Sequence, residues 1–202
     1  MVDWTAERLY LSVFEMNARA TANPYQVHRH LWRAFPGRRD AMRPFLFHVT
    51  REGRPIRVVM QSTLPPEPVA ERDFRLSDRR AFHLNLPEGA VFAFRITANP
   101  TRRESATQRR LPLDEDADRV AWLRRQLEPA AELSRVAVRE AWRMCFEKGG
   151  RPGVVDAVLM TGTLQVRDTA ALVKKIAEGV GPAKAFGCGL LLLHPESPAR
   201  PG

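Results

Sequence analysis

Apolar and polar positions along the chain fall into blocks that predict one order of elements, met twice. Leu9-Tyr10-Leu11-Ser12-Val13-Phe14 is an apolar-rich run of strand length. Asn23-Pro24 then opens a helix, with Asn as N-cap and Pro at the first helical position, and YQVHRHLWRAF carries it to Pro36-Gly37. FLFHVT (45–50) and IRVVMQS (56–62) predict two strands joined across Glu52-Gly53-Arg54-Pro55. A short helical or irregular piece near PEPVAERDF leads to another strand, AFHLNL (81–86). The order is β-α-β-β-(α)-β, and the second helix is its weak member.

The second half repeats the order without repeating the residues. VFAFRITA (91–98) alternates Phe92, Phe94 and Ile96 against Ala93, Arg95 and Thr97, the pattern of a half-buried strand. A basic loop follows. DEDADRVAWLRRQL (114–127) then reads as a helix with acids in its first turn and arginines in its last. SRVAVREAWRMCFE and VVDAVLMTGTLQV flank the turn KGGRPG as a hairpin. Asp168 caps a helix that runs through Lys174, Lys175 and Ile176 to Gly179, and the leucines at 190–193 close as a strand. Two such units predict an α+β protein of tandem ferredoxin-like (RRM-like) βαββαβ modules, residues 1–88 and 89–202.

Composition excludes several classes. No apolar run approaches the ~20 residues of a membrane span. The opening MVDWTAERLYLSVFEM mixes acids with apolar residues and lacks the layout of an export signal, so a cytoplasmic protein is expected. Cys145 and Cys188 stand far apart with no CxxC, which argues against a disulfide framework or a zinc site and predicts small buried apolar residues. The net charge is +9, with arginine far outnumbering lysine. That fits a polyanion partner, and it equally fits the Arg-, Ala- and Pro-rich usage of a GC-rich genome. Placement has to decide.

On the helix at 24–35, Val27, Leu31 and Phe35 take the core side of an apolar arc of ~160°, while Gln26, Arg29, His30 and Arg33 face away. His28 lies within the arc and Tyr25 one turn before it, so the pair shares a face and can reach one atom. The helix N-terminus disfavours imidazolium and keeps His28 neutral, as a base must be. A packing histidine beside a partly buried tyrosine fits the same pattern. His48 and His83 fall in expected strands, His30 points to solvent, and His194 is near the tail. Asp114-Glu115-Asp116 reads as a helix start, and no HExxH, GxSxG or spaced acidic triad appears.

GVGPAKAFGCGLLLL (179–193) places Gly179, Gly181, Gly187 and Gly189 around Lys184. It follows a helix and opens a strand, the reverse of a dinucleotide loop, and Lys184 is followed by Ala185 where a Walker loop needs Ser or Thr. Glycines allow close backbone approach and an anion nest, so an extended phosphodiester backbone remains the candidate. Arg102, Arg103, Arg109 and Arg110 on the basic loop, with Lys148 and Arg151 at the hairpin tip, extend this into a polyanion track. Each basic stretch taken alone is also a solvated loop.

Together, PYQVHRHLWRAFPGRRDAMRPFLFHV (24–49), RITANPTRR (95–103) and the terminal GVGPAKAFGCGLL resemble the CasE-type CRISPR repeat endoribonucleases of type I-E systems, within the RAMP superfamily. The resemblance covers nearly the whole chain. It departs in a short N-terminal extension, a compact basic loop at 99–110 and the polar tail PESPARPG. It implies two ferredoxin-like modules and metal-independent cleavage at the base of the repeat stem-loop, with no cofactor. It also implies 2′,3′-cyclic phosphate and 5′-hydroxyl ends, and retention of the mature crRNA hairpin in the interference complex. The protein is expected to be a monomer when free and to have no membrane partner. His28 takes the place of the catalytic histidine and Tyr25 that of the tyrosine beside it. The glycine-rich loop with Lys184 falls where the family holds RNA, and the basic loop and hairpin tip match stem contacts. Which of His28 and Tyr25 is base and which is acid stays open. Two other classes remain: a non-catalytic RNA-hairpin-binding subunit on the same fold, and a small-molecule-binding domain whose charge is compositional.

Overall fold

A computed structural model describes residues 8–37, 43–50, 54–106 and 109–195. The Glu52-Gly53 half of the first expected turn lies outside them. The first sheet is built from β1 (Leu9–Met16), β2 (Phe45–Val49), β3 (Ile56–Ser62), β4 (Ala70–Glu71) and β5 (Phe74–Phe82). Its strands lie in the order β2-β3-β1-β5-β4 and every pairing is antiparallel. The second contains β6 (Val91–Ala98), β9 (Ala131–Lys148), β10 (Arg151–Val166) and β11 (Leu191–Pro195), in the order β11-β6-β10-β9. In both, the first strand sits between the third and the last, the ferredoxin-like order. The basic segment expected as a loop forms a small hairpin of its own, β7 (Thr101–Arg103) with β8 (Arg110–Pro112).

Among the described residues there are four α-helices: α1 (Ala18–Thr21), α2 (Pro24–Leu31), α3 (Asp116–Leu127) and α4 (Thr169–Glu178). A 3-10 turn over Trp32–Ala34 prolongs α2. Val27 and Leu31 on α2 are buried with Phe14, Phe47, Met60 and Phe74 of the first sheet, as the apolar arc requires. α3 and α4 bury Trp122, Leu123, Leu127, Leu172 and Ile176 against Phe94, Ile96 and Met160 of the second. Asp168 caps α4 as expected, its carboxylate accepting from the Ala171 N–H at 2.8 Å. No described helix is long and apolar enough to cross a membrane.

The first half departs from its expected pattern in two places. The optional second helix is absent, because Pro65, Pro66 and Pro68 lack the N–H groups a helix needs. The last strand is β5, seven residues earlier than AFHLNL suggested. Leu84 and Leu86 are apolar because they pack into the core of the second half, and His83 is exposed outside any strand.

The two halves meet through polar as well as apolar contacts. His48 is buried and its Nδ1 lies 3.1 Å from the Thr97 hydroxyl. Gln61 donates to the Ile176 carbonyl at 2.8 Å. β6 is therefore covered on both faces near its end rather than half-buried. Burial, aided by Arg95, pushes the His48 imidazole down to about 4. Cys188 is buried, with its thiol pushed up to about 12, whereas Cys145 is exposed on β9 and departs from the expectation of burial.

Candidate active site and nucleic-acid interface

Local chemistry at the start of α2 fixes the candidate pair. The Asn23 side-chain oxygen accepts from the Tyr25 N–H at 3.0 Å, and its amide nitrogen donates to the Glu147 carbonyl at 3.0 Å. One residue thus caps the helix and ties it to the β9–β10 hairpin. Gly149 and Gly150 turn that hairpin with φ of +58° and +72°, conformations that disfavour side chains. The tie brings the Lys148 ammonium 5.2 Å from the Tyr25 ring centroid. From the glycine-rich loop, Phe186 lies 6.1 Å from Tyr25 and 4.2 Å from Phe146, centroid to centroid. Three segments far apart in sequence converge on one helix end.

Tyr25 and His28 face each other with ring centroids 5.9 Å apart, as their spacing predicts. His28 rests against Phe45 at 5.7 Å and meets Trp32 edge-on at 6.2 Å. The Trp32 indole N–H donates to His28 Nε2 at 3.1 Å, which places the ring proton on Nδ1. That Nδ1 is buried with no hydrogen-bond partner among the described residues. His28 is pushed down to about 4, by burial first and then by the charges of Arg43 and Lys148. The ring is neutral as expected. The cause is burial and two cations rather than the helix N-terminus.

The indole bond carries a prediction of its own. Nε2 must be unprotonated to accept it, so the bond favours neutral His28. Trp32→Phe keeps the ring and removes the donor. The His28 midpoint should then rise from about 4 but stay well below the ordinary 6.5, because burial, Arg43 and Lys148 still hold it down; NMR of the imidazole signals follows it. An unshifted midpoint would show that burial and charge alone set it.

Two neighbours escaped the sequence reading. Arg43, just before β2, lays its guanidinium 5.9 Å from the centroid of Phe45, the ring that also supports His28. Burial lowers its pKa, and its Nε is buried without a partner. His30, expected in solvent, packs its ring against Phe74 at 5.6 Å and has a buried, unpartnered Nδ1. Burial lowers its pKa more than any charge nearby.

The glycine-rich loop is tightly packed, not an open cradle. A Cβ on Gly179 would come within 2.7 Å of Leu46, and on Gly181 within 2.6 Å of Trp122. On Gly187 it would crowd Phe47 at 3.2 Å, and on Gly189 the Val180 carbonyl at 2.8 Å. The amides of Gly179, Gly187 and Gly189 donate to the carbonyls of Lys175, Lys184 and Thr97. The anion nest read from the glycine spacing is therefore not what these amides form, since each already has a partner within the chain. Lys184 donates to the Glu178 carbonyl at 2.7 Å, across the C-terminal end of α4.

Basic groups nevertheless gather at this loop. Arg103 and Arg110 from the β7–β8 hairpin line a cavity of about 430 Å³ together with Gly179, Gly181 and Lys184. Arg102, Arg109 and Arg151 are exposed and lie outside its lining, and Lys148 is at the Tyr25 end. Among the described residues, no three His, Cys, Asp or Glu side chains gather to hold a metal ion.

Comparison with known proteins bears on what such a site does. Residues 8–195 match the model of a family described as CRISPR associated protein. The CRISPR system Cascade subunit CasE of Escherichia coli is 34% identical over 200 residues, covering 93% of this chain and 100% of the relative. The CRISPR-associated endoribonuclease Cse3 of Thermus thermophilus is 32% identical over 195 residues, covering 88% and 92%. A solved structure of CRISPR endoribonuclease Cse3 bound to a 19-nucleotide RNA superimposes with a TM-score of 0.85 at 30% identity, covering 94% of this chain and 99% of that one.

Proposed function

The chain belongs to the CRISPR-associated protein family, alongside the CasE and Cse3 proteins, and from that premise we propose that it is an endoribonuclease of CRISPR precursor RNA. In this reading it cuts at the base of the repeat stem-loop and keeps the product hairpin as a subunit of a Cascade-type complex in the cytoplasm. It is a monomer until it joins that complex. Residues 1–88 supply the catalytic helix, and residues 89–202 supply the groups that grip RNA.

One observation carries the site: Tyr25 and His28 stand together on α2, under Lys148 from one hairpin and beside the loop that holds Lys184 and Phe186. This combination suits transesterification by the RNA's own 2′-hydroxyl. That oxygen attacks the adjacent phosphorus in line while the 5′-oxygen leaves. A neutral His28 accepts the 2′ proton, and Tyr25 hydrogen-bonds the reacting group beside it. To do so, His28 exchanges its indole bond for one to the RNA. The phosphate that arrives also offsets the cations that suppress protonation in the free protein, so the basicity of His28 recovers on binding. Lys148 and Lys184 add positive charge where the transition state gathers negative charge. Holding flexible RNA in line contributes as much as proton transfer.

Farther from the cut, Arg103 and Arg110 hold the stem, with Arg102, Arg109 and Arg151 extending the basic face that Lys148 and Lys184 begin at the site. Gly179, Gly181, Gly187 and Gly189 serve this grip by shaping the loop that presents Lys184. The chemistry needs no metal, so hairpin repeat RNA should be cut at one position with EDTA present. RNA carrying a 2′-deoxy sugar at that position should bind and stay whole. Cleavage that requires an added divalent ion, or that proceeds on the 2′-deoxy substrate, would contradict this mechanism.

A further inference from the structure

We propose that Arg43 is a third catalytic group, the guanidinium that grips the scissile phosphodiester and stabilises the charge that develops on it. The inference rests on the reading of Tyr25 and His28 as the cutting pair. Arg43 packs over the same Phe45 ring that supports His28, with 5.9 Å from its guanidinium carbon to the ring centroid. Its charge lowers the pKa of both His28 and Lys184, so it lies within electrostatic reach of the candidate base and of the lysine of the glycine-rich loop.

The neighbouring cations are already engaged. Lys184 donates to the Glu178 carbonyl, and Lys148 lies over the Tyr25 ring. Arg43 is different. Its Nε is a buried donor with no partner, and among the described residues no carboxylate pairs with it. An unpaired, partly buried guanidinium is costly, and the usual remedy is an anion. The planar fork of arginine matches two oxygens of a phosphate, which a point-charge lysine cannot do. A phosphodiester presented to His28 supplies those oxygens.

The step balances without another reactant. The 2′-oxygen forms its bond to phosphorus and gives its proton to His28, and the bond from phosphorus to the 5′-oxygen breaks. The leaving 5′-oxygen takes its proton from the Tyr25 hydroxyl, which regains one from protonated His28 through solvent, so both residues return to their starting state. Arg43 transfers nothing. It donates hydrogen bonds to the non-bridging oxygens, whose charge grows as phosphorus becomes five-coordinate.

Single-turnover cleavage of hairpin repeat RNA by Arg43→Met, in EDTA, tests the assignment. The rate should fall by about 10²- to 10³-fold, the usual loss for a transition-state donor. Affinity for 2′-deoxy RNA should change by less than about tenfold. The thermal midpoint should hold or rise, because a buried unpaired charge has been removed. Arg43→Lys should recover only part of the rate. Sulfur at one non-bridging oxygen of the scissile phosphate should slow the wild type and add little to the loss in either variant. A normal rate in Arg43→Met would overturn the proposal. So would losses of affinity or thermal midpoint that account for the lost rate, or an undiminished sulfur effect in Arg43→Lys if the Met variant fails to fold. His28→Ala in the same assay separates the two inferences: normal cleavage there sinks the cutting pair itself, whatever Arg43 does.

Discussion

His28→Ala should slow single-turnover cleavage of hairpin repeat RNA by about 10³-fold or more, near the upper end of what one general base contributes. RNA affinity should stay within a few-fold of the wild type. The separation follows from where the residue sits. His28 is on the face of α2, flanked by Tyr25, Phe45 and Trp32, and its ring is held neutral by burial and by two cations. It offers RNA no charge, so removing it subtracts little from phosphate binding. The loss should be nearly independent of salt, because grip resides in the arginines and lysines. Tyr25→Phe should cost less, since it removes one hydroxyl and keeps the ring between Lys148 and Phe186. A non-catalytic hairpin-binding subunit would bind equally well in every variant and cut in none.

Gly189→Ala should destabilise the fold by about 3 kcal/mol and weaken RNA binding with it. Gly189 has φ of +92°, and an added Cβ would meet the Val180 carbonyl at 2.8 Å, where backbone on both sides must shift. Its N–H donates to Thr97 on β6 at 2.7 Å and its carbonyl accepts from Val180 at 2.9 Å, so relaxing the clash breaks bonds that join the loop to the second sheet. The same loop sets Phe186 against Tyr25, and local strain therefore reaches the site. Gly150→Ala is the matching control. It shares a positive φ, +72°, but has open space around the added carbon, and its cost should be only about 1 kcal/mol. Equal urea midpoints for the two variants would refute the packing account of the loop.

What the sequence disclosed depended on how local each signal was. The Asn23-Pro24 start, the His28 and Tyr25 face and the Gly149-Gly150 turn are set by neighbours within one turn, and all three are found where the pattern puts them. β5 escaped because it is largely exposed and rich in arginine, while Leu84 and Leu86 mimic a strand by alternating toward another core. The glycine cluster was legible as a close approach, but not what it approached. Leu46, Phe47 and Trp122 reach it from distant positions in the chain. Arg43 gave no signal at all. A single arginine before a strand acquires meaning only when Phe45 and His28 close around it.

The most direct measurement is the chemistry of the cut ends. Hairpin repeat RNA labelled at either end is incubated with the protein in EDTA, and the termini of the two products are identified. Attack by the neighbouring 2′-hydroxyl predicts a 2′,3′-cyclic phosphate on the upstream fragment and a 5′-hydroxyl on the downstream one, both lost in His28→Ala. A 3′-hydroxyl paired with a 5′-phosphate would mean that water made the cut, and the assignment of Tyr25 and His28 would be wrong.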